Sequence, residues 1–274
     1  MSFAGEVKAE LCRGKLGRKC CAQAEACGVL LYCNRFSLSE VKIVTESPAF
    51  AQRLPGLFRK AFGVEFDEKG DPDTPGKRIF TISAPEKLAL LWELCAFDPS
   101  GPAHHINFGM LEETHCRLAF LRGAFLAGGS VTDPQKGYHL ELATTHLRVS
   151  RELDTLLLEL GYAPKETTRK ANYITYFKQS EAIEDFLTAI GAPLAAMEIM
   201  NAKAEKDLRG SVNRRVNCDA HNLDKAVDAA QEQIEAIYTL EQRGMLAELP
   251  DKLKEAVDLR MAHPEMTLSQ LCAL

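Results

Sequence analysis

The stretch Phe120-Leu121-Arg122-Gly123-Ala124-Phe125-Leu126-Ala127-Gly128-Gly129-Ser130-Val131 decides how this chain must fold. Residues 112–128 predict a helix that is apolar on nearly every side (Leu118, Ala119, Phe120, Leu121, Ala124, Phe125, Leu126), so it belongs in an interior. Small residues recur four apart within it, Gly123 with Ala127 and Ala124 with Gly128, and such a stripe lets a second helix backbone come close. Residues 19–34 (KCCAQAEACGVLLYCN) predict a matching helix whose small residues are Ala24, Cys27 and Gly28. The two helices are expected to pack on each other through Ala24, Cys27, Gly28, Gly123, Ala124 and Ala127.

Each helix heads a similar run of elements. After the first come a strand around 40–45, a helix over 48–62, strands at 64–67 and 77–83, and a helix at 85–96. About ninety-five residues later a hairpin follows at 130–143, closed by Asp133-Pro134-Gln135-Lys136-Gly137. A helix at 146–160, strands at 165–168 and 171–176, and a helix at 180–190 complete that copy. Landmarks keep their order, with Gly28 matching Gly123, Phe62-Gly63 matching Leu160-Gly161, and Leu88 matching Ile183. The reading is a tandem αββαββα-like unit in an α+β protein, with repeats at 1–110 (including a basic N-terminal arm) and 111–195.

Composition bounds the function. The 274 residues, 46% hydrophobic and 26% charged, can bury a core, which excludes disorder for most of the length. No apolar run reaches the ~20 residues that span a bilayer, and the N-terminus lacks the apolar centre of a secretory signal. Nine cysteines, an odd number, do not make a disulfide framework, so a reduced, cytoplasmic protein is expected. Net charge is −5, but basic side chains cluster at Lys8, Arg13, Lys15, Arg18 and Lys19, and again at Lys203, Lys206, Arg209, Arg214 and Arg215. Both clusters are candidate phosphate contacts.

Beyond Pro193 the strand signals stop. A helix capped by Asn222 and ending at Gly244, a second opened by Pro250, and a third opened by the Thr267-x-x-Gln270 capping box over 268–274 are expected. Helix, tight turn and short helix is how a helix-turn-helix begins, and residues 196–274 read as such a domain cut short.

Other chemistry finds little support. Cys20, Cys21, Cys27 and Cys33 contain no C-x-x-C, and the spacing of Cys20 and Cys27 fits one packed helix face. His104-His105 with His115-Cys116 lacks a ligand pair at a recurring zinc spacing, so no metal centre and no cofactor are expected. No nucleophile elbow, P-loop or dinucleotide fingerprint is present, and no small-molecule substrate is expected. Tyr173, Tyr176 and Phe177, near Lys170 and Lys178, are weighed as base-stacking residues against a core role.

The segments Phe120–Val131 and Ala24–Cys33 resemble the LAGLIDADG helices of homing endonucleases, the second in more diverged form. In that family the paired helices form the domain interface, each ends in an acidic residue, and the two carboxylates hold the divalent ions. Here the acidic positions fall on Cys33 and Gly128, neither of which supplies a hard oxygen ligand. Asp133, the nearest acid, precedes Pro134, where a turn residue is expected. The resemblance implies a scaffold kept and a nuclease lost.

The whole chain resembles the WhiA family of Gram-positive bacterial regulators, most specifically at 12–34, Val44-Thr45-Glu46-Ser47-Pro48, 120–131 and 201–222. That resemblance implies promoter DNA as partner, a place at the nucleoid, and roles in cell division, chromosome segregation and sporulation. In some hosts it implies an iron–sulfur WhiB-type regulator as a second partner. Lys203, Lys206, Arg209, Arg214 and Arg215 would contact phosphates. Thr267, Leu268, Ser269 and Gln270 would brace a recognition helix expected beyond Leu274. The rival readings are a protein-interaction scaffold without DNA affinity and a residual metal-dependent endonuclease.

Overall fold

The computed structural model describes residues 2–71, 73, 76–98, 101 and 103–274, and its contacts divide into two units, Met1–Lys203 and Ala204–Leu274. The first unit is built around two helices, α2 (Lys19–Tyr32) and α5 (Thr114–Gly128). Ala24, Ala26, Val29 and Leu30 of α2 and Leu121, Ala124 and Phe125 of α5 are fully buried. The helices meet at their glycines: a Cβ placed on Gly28 would lie 2.2 Å from the Phe120 carbonyl oxygen, and one on Gly123 would lie 1.9 Å from that of Glu25. Those neighbours are backbone, which no side-chain rotation relieves.

Two antiparallel sheets complete the unit. β1 (Arg35–Phe36), β2 (Val41–Thr45) and β3 (Arg78–Ile82) pair in the order β1-β2-β3, and α3 (Pro48–Phe62) and α4 (Pro85–Leu94) follow β2 and β3. In the second copy β4 (Gly129–Val131), β5 (Leu140–Thr144), β6 (Lys165–Arg169) and β7 (Asn172–Phe177) pair in the order β4-β5-β7-β6. There α6 (Leu147–Glu159) and α7 (Ser180–Ile190) take the places of α3 and α4. Alternation sets the faces: Val41, Ile43 and Thr45, like Leu140, Leu142 and Thr144, point to the core.

The strand expected at 64–67 does not form. Only an isolated bridge joins Glu68 to Thr81, because Phe66 turns into the core against Phe58 and Phe80. The Asp67 carboxylate instead accepts from the Ser83 and Ala84 amides at 2.6 and 2.9 Å, at the start of α4. The N-terminal segment is not a loose arm either. It forms α1 (Phe3–Arg13), which buries Phe3, Val7 and Leu11, and Glu10 accepts from the Leu194 and Ala195 amides at 2.8 and 3.0 Å.

A buried ion network ties α2 to its neighbours. Arg53 of α3 grips Glu25 with two bonds of 2.7 and 3.0 Å and also donates to the Gly14 carbonyl at 2.6 Å. Arg122 of α5 lies 3.4 Å from the same carboxylate and donates to the Ile190 carbonyl at 2.6 Å. Burial works against the Arg53 charge, but the Glu25 contact outweighs it and raises its pKa. Losing Glu25 would strand a buried guanidinium, a defect worth about 3–5 kcal/mol.

The helix α8 spans Pro193–Gln242, and the first unit reaches Lys203 within it because Ala195, Ala196, Ile199 and Ala202 are buried. The boundary thus lies past the expected 195/196. The break expected at Asn222 is absent: its side-chain amide reaches back to the Cys218 sulfur at 3.6 Å, a local bond that leaves the helix intact. Gly244, at φ 70°, ends the run. In the second unit α9 (Asp251–Ala262) follows Pro250, which caps it rather than standing at its first position, and α10 (Leu268–Leu271) is shorter than expected. Arg260 is buried there and donates to Gln233 at 2.9 Å and to the Met266 carbonyl at 2.6 Å.

Gly123→Ala tests the central crossing. In an ordinary helix interior this change stabilises by about 1 kcal/mol. Here a methyl must displace backbone, so a loss of about 3 kcal/mol is expected. Urea unfolding followed by fluorescence of Trp92, the single tryptophan and buried in the first unit, would report it. A raised or unchanged midpoint would contradict the close approach.

Candidate nucleic-acid interface

The C-terminal ends of α2 and α5 are where the homing-endonuclease resemblance would put two carboxylates. Cys33 instead directs its thiol to the carbonyls of Leu30 and Arg35, at 3.2 and 3.1 Å, and burial pushes that thiol up to about 12. A Cβ on Gly128 would lie 2.5 Å from the Ala143 carbonyl oxygen and 3.1 Å from that of Tyr32, so the backbone leaves no room for an aspartate. Asp133 accepts from the Gln135 amide at 2.9 Å, and its carbonyl accepts from Lys136 and Gly137, which makes it a hairpin-turn residue. These positions assemble no pair of hard oxygen ligands. A cleft of about 620 Å³ lies beside them, lined among others by Lys8, Asn34, Ser47, Lys77 and Ser130. Lys8 sits 5.9 Å from the Phe125 ring centre, and burial pushes its ammonium down to about 8.

The outer faces of the sheets carry mixed charge. On the second sheet Glu141 receives Arg169 at 2.6 Å and has His139 at 3.2 Å. Tyr176 pairs with Glu141 and Lys165 across the strands and has Lys178 5.5 Å from its ring centre. Of the aromatics weighed for stacking, Tyr176 is on this open face. Tyr173 is half-buried in the core-facing register opposite Thr144, and Phe177 is buried against Tyr162 and Phe186. On the first sheet Arg35 is bonded to Glu40 at 3.0 Å, and Lys42 stands beside it in register. Arg35 and Arg169 are thus each matched by an acid, which weakens the field for a polyanion, while Lys42 and Lys165 have no ion pair among the described residues.

The basic residues of α8 differ in standing. Lys203, in the first unit, forms an ion pair with Glu181, whose carboxyl that bond holds down at about 2. In the second unit Arg209 lies 3.5 Å from Glu205, and Arg214 and Arg215 are exposed with no ion pair among the described residues. At ~100° per residue, Lys206, Arg209 and Arg214 share an arc of about 140°, and Arg215 stands about 100° beyond Arg214. Thr267 caps α10, receiving the Gln270 amide at 3.3 Å while the Gln270 side chain accepts from the Thr267 amide at 2.8 Å. Gln270 therefore spends its carbonyl oxygen on the cap, whereas Leu268 and Ser269 face solvent.

The histidine and cysteine stretches regroup. His104 does not approach His115. It stacks on Phe36 at 4.7 Å, meets His146 at 4.5 Å, and burial lowers its pKa. Cys27 is buried beside Cys95, in a packing role. Cys20 and Cys21 lie instead against His115 and Cys116, a grouping that neither stretch announces alone. The signal that finds it is the repeat offset, since 20→115 and 21→116 keep the interval of 28→123.

Comparison with known proteins agrees with this architecture. Residues 117–209 match the WhiA LAGLIDADG-like domain, and residues 212–274 match the WhiA C-terminal HTH domain. The probable cell division protein WhiA of Ruminiclostridium cellulolyticum is 38% identical over 99% of this chain and 90% of its own length. Its namesake in Heliobacterium modesticaldum is 35% identical over 99% of this chain and 88% of its own. The crystal structure of full-length WhiA from Thermatoga maritima shares the fold, with a TM-score of 0.66 at 24% identity over 99% of this chain and 90% of that one. With two family domains matched in succession along the sequence and relatives aligned along almost its whole length, the chain belongs to the WhiA family.

Proposed function

We propose that this chain is a DNA-binding regulator of cell division, acting in the cytoplasm on promoter DNA through its C-terminal unit. The observation that carries the reading is the helix-turn-helix match over 212–274, opening on the exposed pair Arg214 and Arg215. Arg209 and Lys206 add to this basic stretch, and Lys203 contributes only where its Glu181 partner releases it. The finer roles in chromosome segregation and sporulation, and a WhiB-type partner, rest on the family resemblance. The first unit acts in this reading as a scaffold without nuclease chemistry, because Cys33 and Gly128 occupy the acid positions and Gly128 is walled by backbone.

Phosphate contacts make affinity fall with salt, with a slope of about −0.9 per contact. Replacing Arg214 and Arg215 together by Ala should weaken binding to promoter and random duplexes alike and flatten the salt slope by about 1.8. Fluorescence anisotropy at several salt concentrations reads both quantities. An unchanged slope would remove these arginines from the interface, and no binding of any duplex at low salt would favour the interaction-scaffold reading.

A second outcome concerns chemistry. Supercoiled plasmid incubated with the chain and Mg²⁺ or Mn²⁺ should stay supercoiled. Nicked or linear product, absent from a mock purification, would restore the nuclease.

A further inference from the structure

α2 opens on Lys19-Cys20-Cys21 and α5 on Thr114-His115-Cys116, so the pseudo-twofold relation that superposes Gly28 on Gly123 also superposes Cys20 on His115 and Cys21 on Cys116. The glycine crossing brings the first turns of the two helices side by side. One ligand atom from each of the four side chains, three sulfurs and an imidazole nitrogen, lies within 4.8 Å of all the others. His115 Nδ1 is 3.4 Å from the Cys21 sulfur and 3.2 Å from that of Cys116.

A tetrahedral ion with bonds of about 2.3 Å to sulfur and 2.0–2.1 Å to nitrogen has ligand–ligand edges of roughly 3.5–3.8 Å. The quartet reaches that geometry by small side-chain adjustments. Its burial is graded, with Cys116 buried, Cys21 and His115 half-buried and Cys20 exposed, which gives the site an enclosed floor and an open entrance. Core packing accounts for Cys27 and Cys95 but not for a group with an exposed thiol and a half-buried imidazole. We propose that Cys20, Cys21, His115 and Cys116 form a four-coordinate site for one zinc ion, which staples the N-terminal ends of α2 and α5.

The donor set selects the ion. Three thiolates and an imidazole suit a borderline-soft metal such as Zn²⁺ and reject Mg²⁺ or Ca²⁺. The ligand atoms crowd around one point, as a single ion requires. The quartet stands at the opposite ends of α2 and α5 from Cys33 and Gly128, about 20 Å away along the helices. With four protein ligands it leaves no open coordination position and is a structural site, separate from the ends where the homing-endonuclease resemblance would place catalytic ions. Binding would deprotonate the thiols and release their protons to solvent, with no change of oxidation state.

The test is cobalt substitution in the full chain, purified under reducing conditions and stripped of metal. One equivalent of Co²⁺ should develop the thiolate charge-transfer and strong d–d bands of tetrahedral coordination, and one equivalent of Zn²⁺ should bleach them. Cys20→Ser, at an exposed position that spares the core, should lower cobalt affinity by more than the ~10–100-fold that loss of an outer-shell partner costs. Adding Cys116→Ser should abolish the spectrum, while Cys218→Ser in the second unit should leave it unchanged. Trp92 fluorescence checks folding, and if Cys116→Ser unfolds, Cys20→Ser with His115→Ala carries the test. Only the weak spectrum of octahedral cobalt with the wild-type chain would overturn the proposal. So would a spectrum indifferent to the Cys20 and His115 changes, or a peptide map of the unreduced protein linking Cys20 or Cys21 to Cys116 by a disulfide.

Discussion

The first unit depends on two helices touching backbone to backbone. At Gly28 and Gly123 the partner's carbonyl oxygen occupies the space where a Cβ would be, and no rearrangement of side chains can open that space. Close approach brings the full dispersion of both helices into play along α2 and α5. It also buries Glu25, which is why Arg53 and Arg122 must converge on it from α3 and α5. The two sheets then need only present one apolar face each, Val41 and Ile43 on one side and Leu140 and Leu142 on the other.

The same crossing shapes what the unit can do chemically. At the C-terminal ends of the helices, Gly128 packs against the Ala143 and Tyr32 carbonyls and Cys33 turns its thiol inward, so the acid positions are filled by structure. The sheets' outer faces pair Arg169 with Glu141 and Arg35 with Glu40, which weakens the positive field offered to a phosphate backbone. In the second unit Arg214 and Arg215 are exposed and have no ion pair among the described residues. In the proposed function, scaffold and nucleic-acid contact therefore fall to different parts of the chain.

Much of this was legible in the sequence where a local pattern and the tertiary fold agree. The all-round apolar character of 112–128, the helix at 48–62 and the Thr267–Gln270 cap each follow from a short-range rule. Other readings failed where a long-range contact overrode the local signal. Residues 64–67 look like a strand, but Phe66 is drawn into the core and Asp67 to the start of α4. The basic N-terminus looks like an arm, but Phe3, Val7 and Leu11 bind it down as a helix. Asn222 looks like a cap, yet without a proline or glycine beside it the helix runs on. The cysteine–histidine quartet escaped because its halves lie 95 residues apart (20→115) and are united only by the pseudo-twofold axis.

The crossing of α2 and α5 should bind the two repeats into one cooperative unit. Native-state hydrogen exchange on the full chain tests it most directly, residue by residue and without altering the protein. Buried amides around Gly28 and Gly123 should be the slowest in the first unit, share one opening free energy, and show the denaturant dependence of unfolding the whole unit. Were either helix to open with its own sheet at a lower free energy while the other stayed protected, the repeats would be separate modules that the helix crossing does not unite.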